Sequence, residues 1–383
     1  MIPYGRQNIS TADVDAVVDV LRSDFLTQGP MVPRFETCVA DRVGAAHAVA
    51  VNSATSALHI ACLALGVKPG DLLWTSPITF VASANAGAYC GADIDFVDID
   101  PTTLNLCPLA LERKLVQAKA AGRLPKVIIP VHMGGLSCEM DVIAGLARTH
   151  GIRVIEDASH AIGGSFRDTP IGSCQYSDVT VFSFHPVKIV TTAEGGLATT
   201  NDRALARAME LFRSHGVTRE PAEMEGLSDG PWYYQQIALG YNYRMTEVQA
   251  ALGISQMARL EPFIARRHAL AKRYDALLAS LPVRLQTQAT HHYSGLHLYI
   301  VQLDDASRRS AVFAALRAAG IGVNVHYIPV HTQPWYRAHG HADSVFANAE
   351  DYYARAISLP MYPDLTEEEQ DYVVAQLAEA LAA

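Results

Sequence analysis

The chain of 383 residues holds no apolar run near the length of about 18 residues that a membrane-crossing helix needs. Its opening, Met1-Ile2-Pro3-Tyr4-Gly5-Arg6, lacks the long apolar stretch of a secretory leader. The expectation is a cytoplasmic protein with no membrane partner. Charge is also scarce: 18% of residues are charged against 50% hydrophobic, which excludes a disordered chain. No basic block interrupts a net charge of −9, so the sequence argues against general nucleic-acid binding, whose affinity comes from neutralising phosphates. An anionic substrate must be held by a local site and not by the field of the whole molecule. Cysteine is limited to six residues, at 38, 62, 90, 107, 138 and 174, with no close pair at metal-ligand spacing. In a large cytoplasmic chain these read as reduced core thiols.

What is present is an alternation of strands and helices. A prior of roughly 150 residues per domain points to two or three domains. Short apolar runs predict strands over 47–51, 72–76, 94–98, 126–131, 153–156, 179–184 and 196–199. Helical spacing predicts helices over 10–22, 56–65, 78–90, 138–149 and 204–214, with Ser10 as the first N-cap. That alternation predicts an α/β fold with a mainly parallel sheet, whose ligands bind beyond the carboxyl ends of the strands. The texture changes near residue 255. The chain is accordingly expected to divide into a large domain over 1–255 and a small α+β domain over 256–383. The latter should contain helices over 256–280, 306–319 and 366–381 and strands over 295–303 and 323–327. The His- and Pro-rich stretch 326–341 reads as a surface loop.

Three segments carry chemistry. Asp157 closes a strand in Val154-Ile155-Glu156-Asp157-Ala158-Ser159-His160, where a carboxylate points into the ligand crevice. Taken alone it reads equally as a turn residue. Lys188 follows the strand 179–184 and has Val187, Ile189 and Val190 around it. Apolar surroundings disfavour its charged form and expose a nucleophilic amine; alone it reads equally as a solvated lysine. Asn52-Ser53-Ala54-Thr55-Ser56 follows a strand and opens a helix, a place where free N–H groups bind phosphate, or where Ser and Thr simply cap. Together, an acid for a pyridine nitrogen, a lysine for an aldehyde and a phosphate cup are the layout for pyridoxal 5′-phosphate.

Six motifs stand in order: Thr27-Gln28-Gly29-Pro30, residues 52–58, Thr79-Phe80-Val81-Ala82, Glu156–His160, residues 183–196, and Gly240-Tyr241-Asn242-Tyr243-Arg244-Met245. They resemble the sugar aminotransferases of the DegT/DnrJ/EryC/StrS family over nearly the whole chain. The resemblance implies a fold-type-I architecture with a seven-stranded sheet and pyridoxal phosphate as cofactor, in its pyridoxamine form for half the cycle. It implies Lys188 and Asp157 as the catalytic pair, with Ala54, Thr55 and Ser183 on the phosphate and Phe80 on the ring. It puts His160 by the phenolic oxygen and Asn242 at the other subunit's site, so that the active unit is a homodimer. Two positions depart from the pattern: His160 stands where the family has Gln, and Ala193 where it tends to have Gly.

Within the family, His185–Lys188, Thr191–Gly196 and His326–His331 look like the branch that serves pseudaminic acid biosynthesis. That likeness implies transfer of an amino group from L-glutamate to C4 of a UDP-linked 4-keto-6-deoxy-N-acetylhexosamine. It implies Tyr4, Phe25, Leu26, Thr27, Gln28, Asn324, Val325, His326 and Tyr327 as the nucleotide-sugar contacts. A dTDP-linked 3-keto or 4-keto sugar is the alternative substrate. A dehydratase on this scaffold would have His in place of Lys188. A non-catalytic cofactor-binding regulator would not need the Asp157–Lys188–Asn242 set. An oxidoreductase would need a glycine-rich turn that 52–58 lacks. No metal is expected, since His326, His331, His339 and His341 lack a ligand pattern and a paired carboxylate.

Overall fold

The computed structural model describes residues 1–382. Its first part builds one sheet from β1 (His47–Val51), β2 (Leu72–Thr75), β3 (Asp93–Phe96), β4 (Val127–Ile129), β5 (Arg153–Asp157), β6 (Val179–Ser183) and β7 (Gly196–Thr200). The spatial order is β1-β7-β6-β5-β4-β2-β3. Strands β3, β2, β4, β5 and β6 are parallel, and β7 runs antiparallel to both β1 and β6. Every residue of β6 and β7 is buried, as expected of a sheet covered on both faces.

The covering helices are α1 (Thr11–Leu21), α2 (Met31–Val43), α3 (Ala54–Ala64), α4 (Ala82–Tyr89), α5 (Pro108–Ala120), α6 (Met140–Thr149), α7 (Arg203–Arg213) and α8 (Glu247–Met257). One apolar cluster joins α3, α4 and α7 to one sheet face, and another joins α2 and α8 to the opposite one. The capping box of α1, in which Ser10 and Asp13 satisfy each other's backbone N–H, fixes its start where the sequence placed it.

Beyond α8 the chain continues through α9 (Leu260–Leu278), β8 (Val283–Leu285), β9 (Tyr299–Leu303), α10 (Arg309–Ala318), α11 (Ala347–Arg355), β10 (Ala356–Leu359) and α12 (Glu367–Ala382). The strands form an antiparallel sheet in the order β8-β9-β10, with its own apolar cluster against α9, α10 and α12. Residue 255 lies inside α8. The N-terminal segment joins this second layer, because Ile2 exchanges backbone hydrogen bonds with Gly320 and Gly322, and Tyr4 O accepts from Met361 N. No helix among the described residues is long and apolar enough to cross a membrane.

Several elements differ from the sequence expectation. The segment 323–327 is not a strand; only Asn324 bridges to Ser358. The stretch 326–341 is a surface loop only in part: Ile328, Thr332 and residues 337–340 are exposed, but His326, His331 and His341 are buried. His331 also has a carboxylate partner, Glu350, at 3.1 Å. The helix expected over 256–280 is the end of α8 plus α9. Helix α2 was not expected from the sequence, although its Pro33 is tolerated in a first turn, where N–H groups lack partners anyway. All six cysteines are free, and Cys38 and Cys107 are only partly buried.

Candidate active site

The carboxyl ends of β5 and β6 place the two central side chains. Asp157 is the last residue of β5 and pairs with Val181 of β6. Its Oδ2 accepts from Ser83 Oγ at 2.6 Å, and its Oδ1 accepts from Ser159 Oγ at 2.6 Å and Ser159 N–H at 3.1 Å. Ser83 is held in turn by Thr79, one helical turn earlier, at 2.7 Å. Behind Asp157, Glu156 accepts from His132 Nε2 at 2.8 Å and from Thr180 Oγ1 at 3.2 Å. His132 N–H donates to Asp157 O at 3.0 Å, so the strand end that aims Asp157 is locked from both sides.

Lys188 sits in the turn between β6 and β7. The turn is closed by Thr192 N–H to Phe184 O (3.0 Å) and by Lys188 N–H to His185 O (2.9 Å). Ile189 and Val190 beside it are buried. Burial pushes its ammonium down to about 8, against the opposing pull of the Asp157 charge. The amine is thus available unprotonated at a pH where an ordinary lysine is protonated. Attachment of an aldehyde to the apoenzyme should therefore rise about fivefold from pH 7 to 8 and level above about pH 9. Stopped-flow absorbance checks this, and a rate still climbing at pH 10 would contradict it.

The turn contains a strained residue. Ala193 has φ +65°, with its N–H held by Thr191 Oγ1 at 3.0 Å. A side chain in the left-handed region costs on the order of 1 kcal/mol. Ala193→Gly should therefore raise unfolding stability by about 0.5–1 kcal/mol in denaturant titration; an unchanged or lower midpoint would contradict this.

The phosphate cup lies next to that turn. Ser53 caps α3, its side chain accepting from Ser56 N–H. The N–H groups of Ala54 and Thr55 have no hydrogen-bond partner among the described residues. A Cβ on Gly196 would lie 2.3 Å from Ala54 N, so only glycine lets β7 approach the helix start this closely. Ser183 is paired with Gly196 in the same ladder. Free donors at a helix N-terminus fit a phosphate group.

Histidines and a tyrosine close the other side. His160 Nε2 and Tyr327 OH are 3.0 Å apart, and the His160 ring lies 4.6 Å from that of His297. His160 Nδ1 is buried with no partner in the protein, which fits an oxygen of a bound group. Burial, reinforced by the Lys188 charge, holds His160 and His297 well below the usual imidazole range and His326 down to about 3. All three are neutral. The His326 ring lies tilted against that of Tyr4, 5.4 Å away, and its Nδ1 meets Ser358 Oγ at 2.8 Å, while Asn324 Oδ1 accepts from Val325 N–H at 2.8 Å.

The fold thus assembles Asp157, Lys188, His160, His326, Tyr327 and Tyr4 around one site. Phe80 lies at its mouth, 59% exposed, with its ring 6.2 Å from Tyr327. Phe25, Leu26, Thr27, Gln28 and Asn242 are exposed. A cavity of 710 Å³ lies elsewhere, between β3, α5 and residues 335–344. Sequence reasoning missed His297, Ser83 and Ser159. Ser83 was legible as the residue one turn after Thr79; no local signal marked His297.

The model of the DegT/DnrJ/EryC1/StrS aminotransferase family matches residues 7–378. The chain is 40% identical over 380 residues to the spore coat polysaccharide biosynthesis protein SpsC of Bacillus subtilis, covering 97% of this chain and 95% of that one. It is 35% identical over 385 residues to the UDP-4-amino-4,6-dideoxy-N-acetyl-beta-L-altrosamine transaminase of Campylobacter jejuni, covering 97% and 96%. Among solved structures, Helicobacter pylori PseC, an aminotransferase involved in the biosynthesis of pseudoaminic acid, superposes with a TM-score of 0.91 at 30% identity over 100% of this chain and 99% of that one. Spr1654 of Streptococcus pneumoniae, in its PMP form, superposes with the same score at 28% identity over the same shares.

Proposed function

Because the chain belongs to the DegT/DnrJ/EryC1/StrS aminotransferase family and is a sugar aminotransferase that works with pyridoxal phosphate, we propose that it moves an amino group from L-glutamate to C4 of a UDP-linked 4-keto-6-deoxy-N-acetylhexosamine. The likeness to the Campylobacter transaminase over 97% of the chain carries the substrate reading. The depressed Lys188 amine facing the clamped Asp157 carries the chemistry.

Lys188 would hold the cofactor's aldehyde, Asp157 its pyridine nitrogen, Phe80 its ring face, and Ala54, Thr55 and Ser183 its phosphate. His160 would reach its phenolic oxygen. When bound, that group supplies an electron sink and stores the amine between the two half-reactions. Lys188 Nζ takes a proton from Cα of glutamate in the first half and delivers one to C4 of the sugar in the second. It is suited to both because it is tethered beside the reacting carbons and loses its proton near physiological pH. Ser83 and Ser159 fix the Asp157 oxygens, so the carboxylate need not reorganise when charge develops on the ring.

Tyr4, Asn324, Val325, His326 and Tyr327 line the sugar side in this reading. Phe25, Leu26, Thr27 and Gln28 join these nucleotide-sugar contacts, and Asn242 acts across the interface of a homodimer. Phe25, Leu26, Phe80, Trp232 and Leu239 are exposed apolar groups of the kind a second copy of the chain would cover. A different nucleotide-linked keto sugar, such as a dTDP-linked one, is the second reading, because identity to SpsC, whose name specifies no nucleotide sugar, exceeds that to the Campylobacter transaminase.

The test supplies glutamate with a panel of UDP- and dTDP-linked keto sugars and identifies the amino product by NMR. The proposal expects turnover of the UDP-linked 4-keto sugar above all others. Turnover confined to a dTDP-linked sugar would overturn it.

A further inference from the structure

We propose that Glu139, His291 and His292 form a binding site for a divalent transition-metal ion of the zinc class. One carboxylate oxygen and two imidazole nitrogens from these residues lie within 4.8 Å of one another. His291 Nε2 is 3.2 Å from both oxygens of Glu139, and His292 Nε2 is 3.5 Å from Oε1. Donors about 2.0–2.2 Å from a tetrahedral ion stand about 3.3–3.5 Å apart, so the two carboxylate–imidazole spacings need little adjustment.

The independent sign is His292 itself. Its side chain is 2% exposed, yet neither ring nitrogen has a hydrogen-bond partner in the protein. Buried polar atoms are normally satisfied, and an unpartnered imidazole aimed at a carboxylate is what a missing cation leaves unexplained. The ring is fixed by its surroundings. His292 pairs with Phe166 in a short ladder, and its ring packs 5.2 Å from that of Phe166. The neighbouring cation, Arg167, is neutralised by Asp141 at 2.9 Å, which leaves Glu139 to balance an ion.

Two imidazoles and a carboxylate suit zinc, copper or nickel better than magnesium or calcium, which prefer oxygen throughout. Glu139 and His291 are partly exposed, so solvent can supply the fourth ligand and the ion a route in. Glu139 is the N-cap of α6, while the histidines begin the segment that runs through Gly295, bonded to Gly135, to His297. An ion here would staple that segment to the large sheet. The sequence expectation of no metal overlooked these residues because Glu139 stands 152 positions upstream of His291.

The holoenzyme, stripped with a chelator, is titrated with zinc chloride in a calorimeter and separately with cobalt chloride in a spectrophotometer. The site predicts one saturable ion per chain and cobalt bands of low-symmetry, nitrogen-and-oxygen coordination. His291→Gln and His292→Gln should each weaken binding by at least about tenfold, and the double variant should lose the cobalt bands. Retained cofactor absorbance verifies folding. Should His292→Gln fail to fold, His291→Gln, on the exposed edge, carries the test. Absence of saturable binding, or equal affinity in His291→Gln, would overturn the proposal.

Discussion

Lys188→Ala is expected to abolish amine transfer, by about 10⁴-fold or more, while the protein stays folded and still takes up cofactor. The side chain supplies the one amine whose ammonium is depressed to about 8 beside Asp157. Its loss removes both the attachment point and the proton carrier, and neighbouring groups offer no substitute: His160, His297 and His326 are all pushed down and neutral. The turn itself survives, because Phe184, Thr191 and Thr192 hold it through bonds that do not use the Lys188 side chain. Single-turnover assays with glutamate read the loss, and dialysis followed by absorbance reads retained cofactor. Turnover within tenfold of the parent would contradict the assignment.

Asp157→Asn should cost about 10²–10³-fold in turnover with little change in folding. The amide is isosteric, and one oxygen can still accept from Ser83 or Ser159. What disappears is the negative charge that, in the proposed function, would hold the proton on the cofactor's ring nitrogen and so sustain its electron sink in both half-reactions. The absorbance of the bound cofactor should shift at the same time, which separates this loss from misfolding. A variant with near-parent rates would mean that the clamp of Ser83 and Ser159 serves only to close the end of β5.

Much of this was legible because the informative patterns are local. Strand β1 was read at the bounds it has, since an apolar run followed by Asn-Ser is a strand meeting a helix cap. Asp157 and Lys188 stood out because one closes a strand and the other follows the end of the next by five residues, and strand ends in a parallel sheet converge on one edge. The segment 323–327 misled because Val323, Val325 and Tyr327 alternate as a strand would, whereas pairing depends on which backbone lies alongside. The histidines of 326–341 misled in another way: polarity suggested a loop, but His331 and His341 are buried by finding Glu350 and the Ile94 carbonyl far away in sequence. His297 and the Glu139–His291–His292 cluster have the same character, because only the fold brings their parts together.

The most direct measurement is borohydride reduction of the purified protein with its cofactor, followed by peptide mapping. The account predicts a single stably modified residue, Lys188, and loss of all amine transfer. A label on any other lysine, or full activity after reduction, would contradict it.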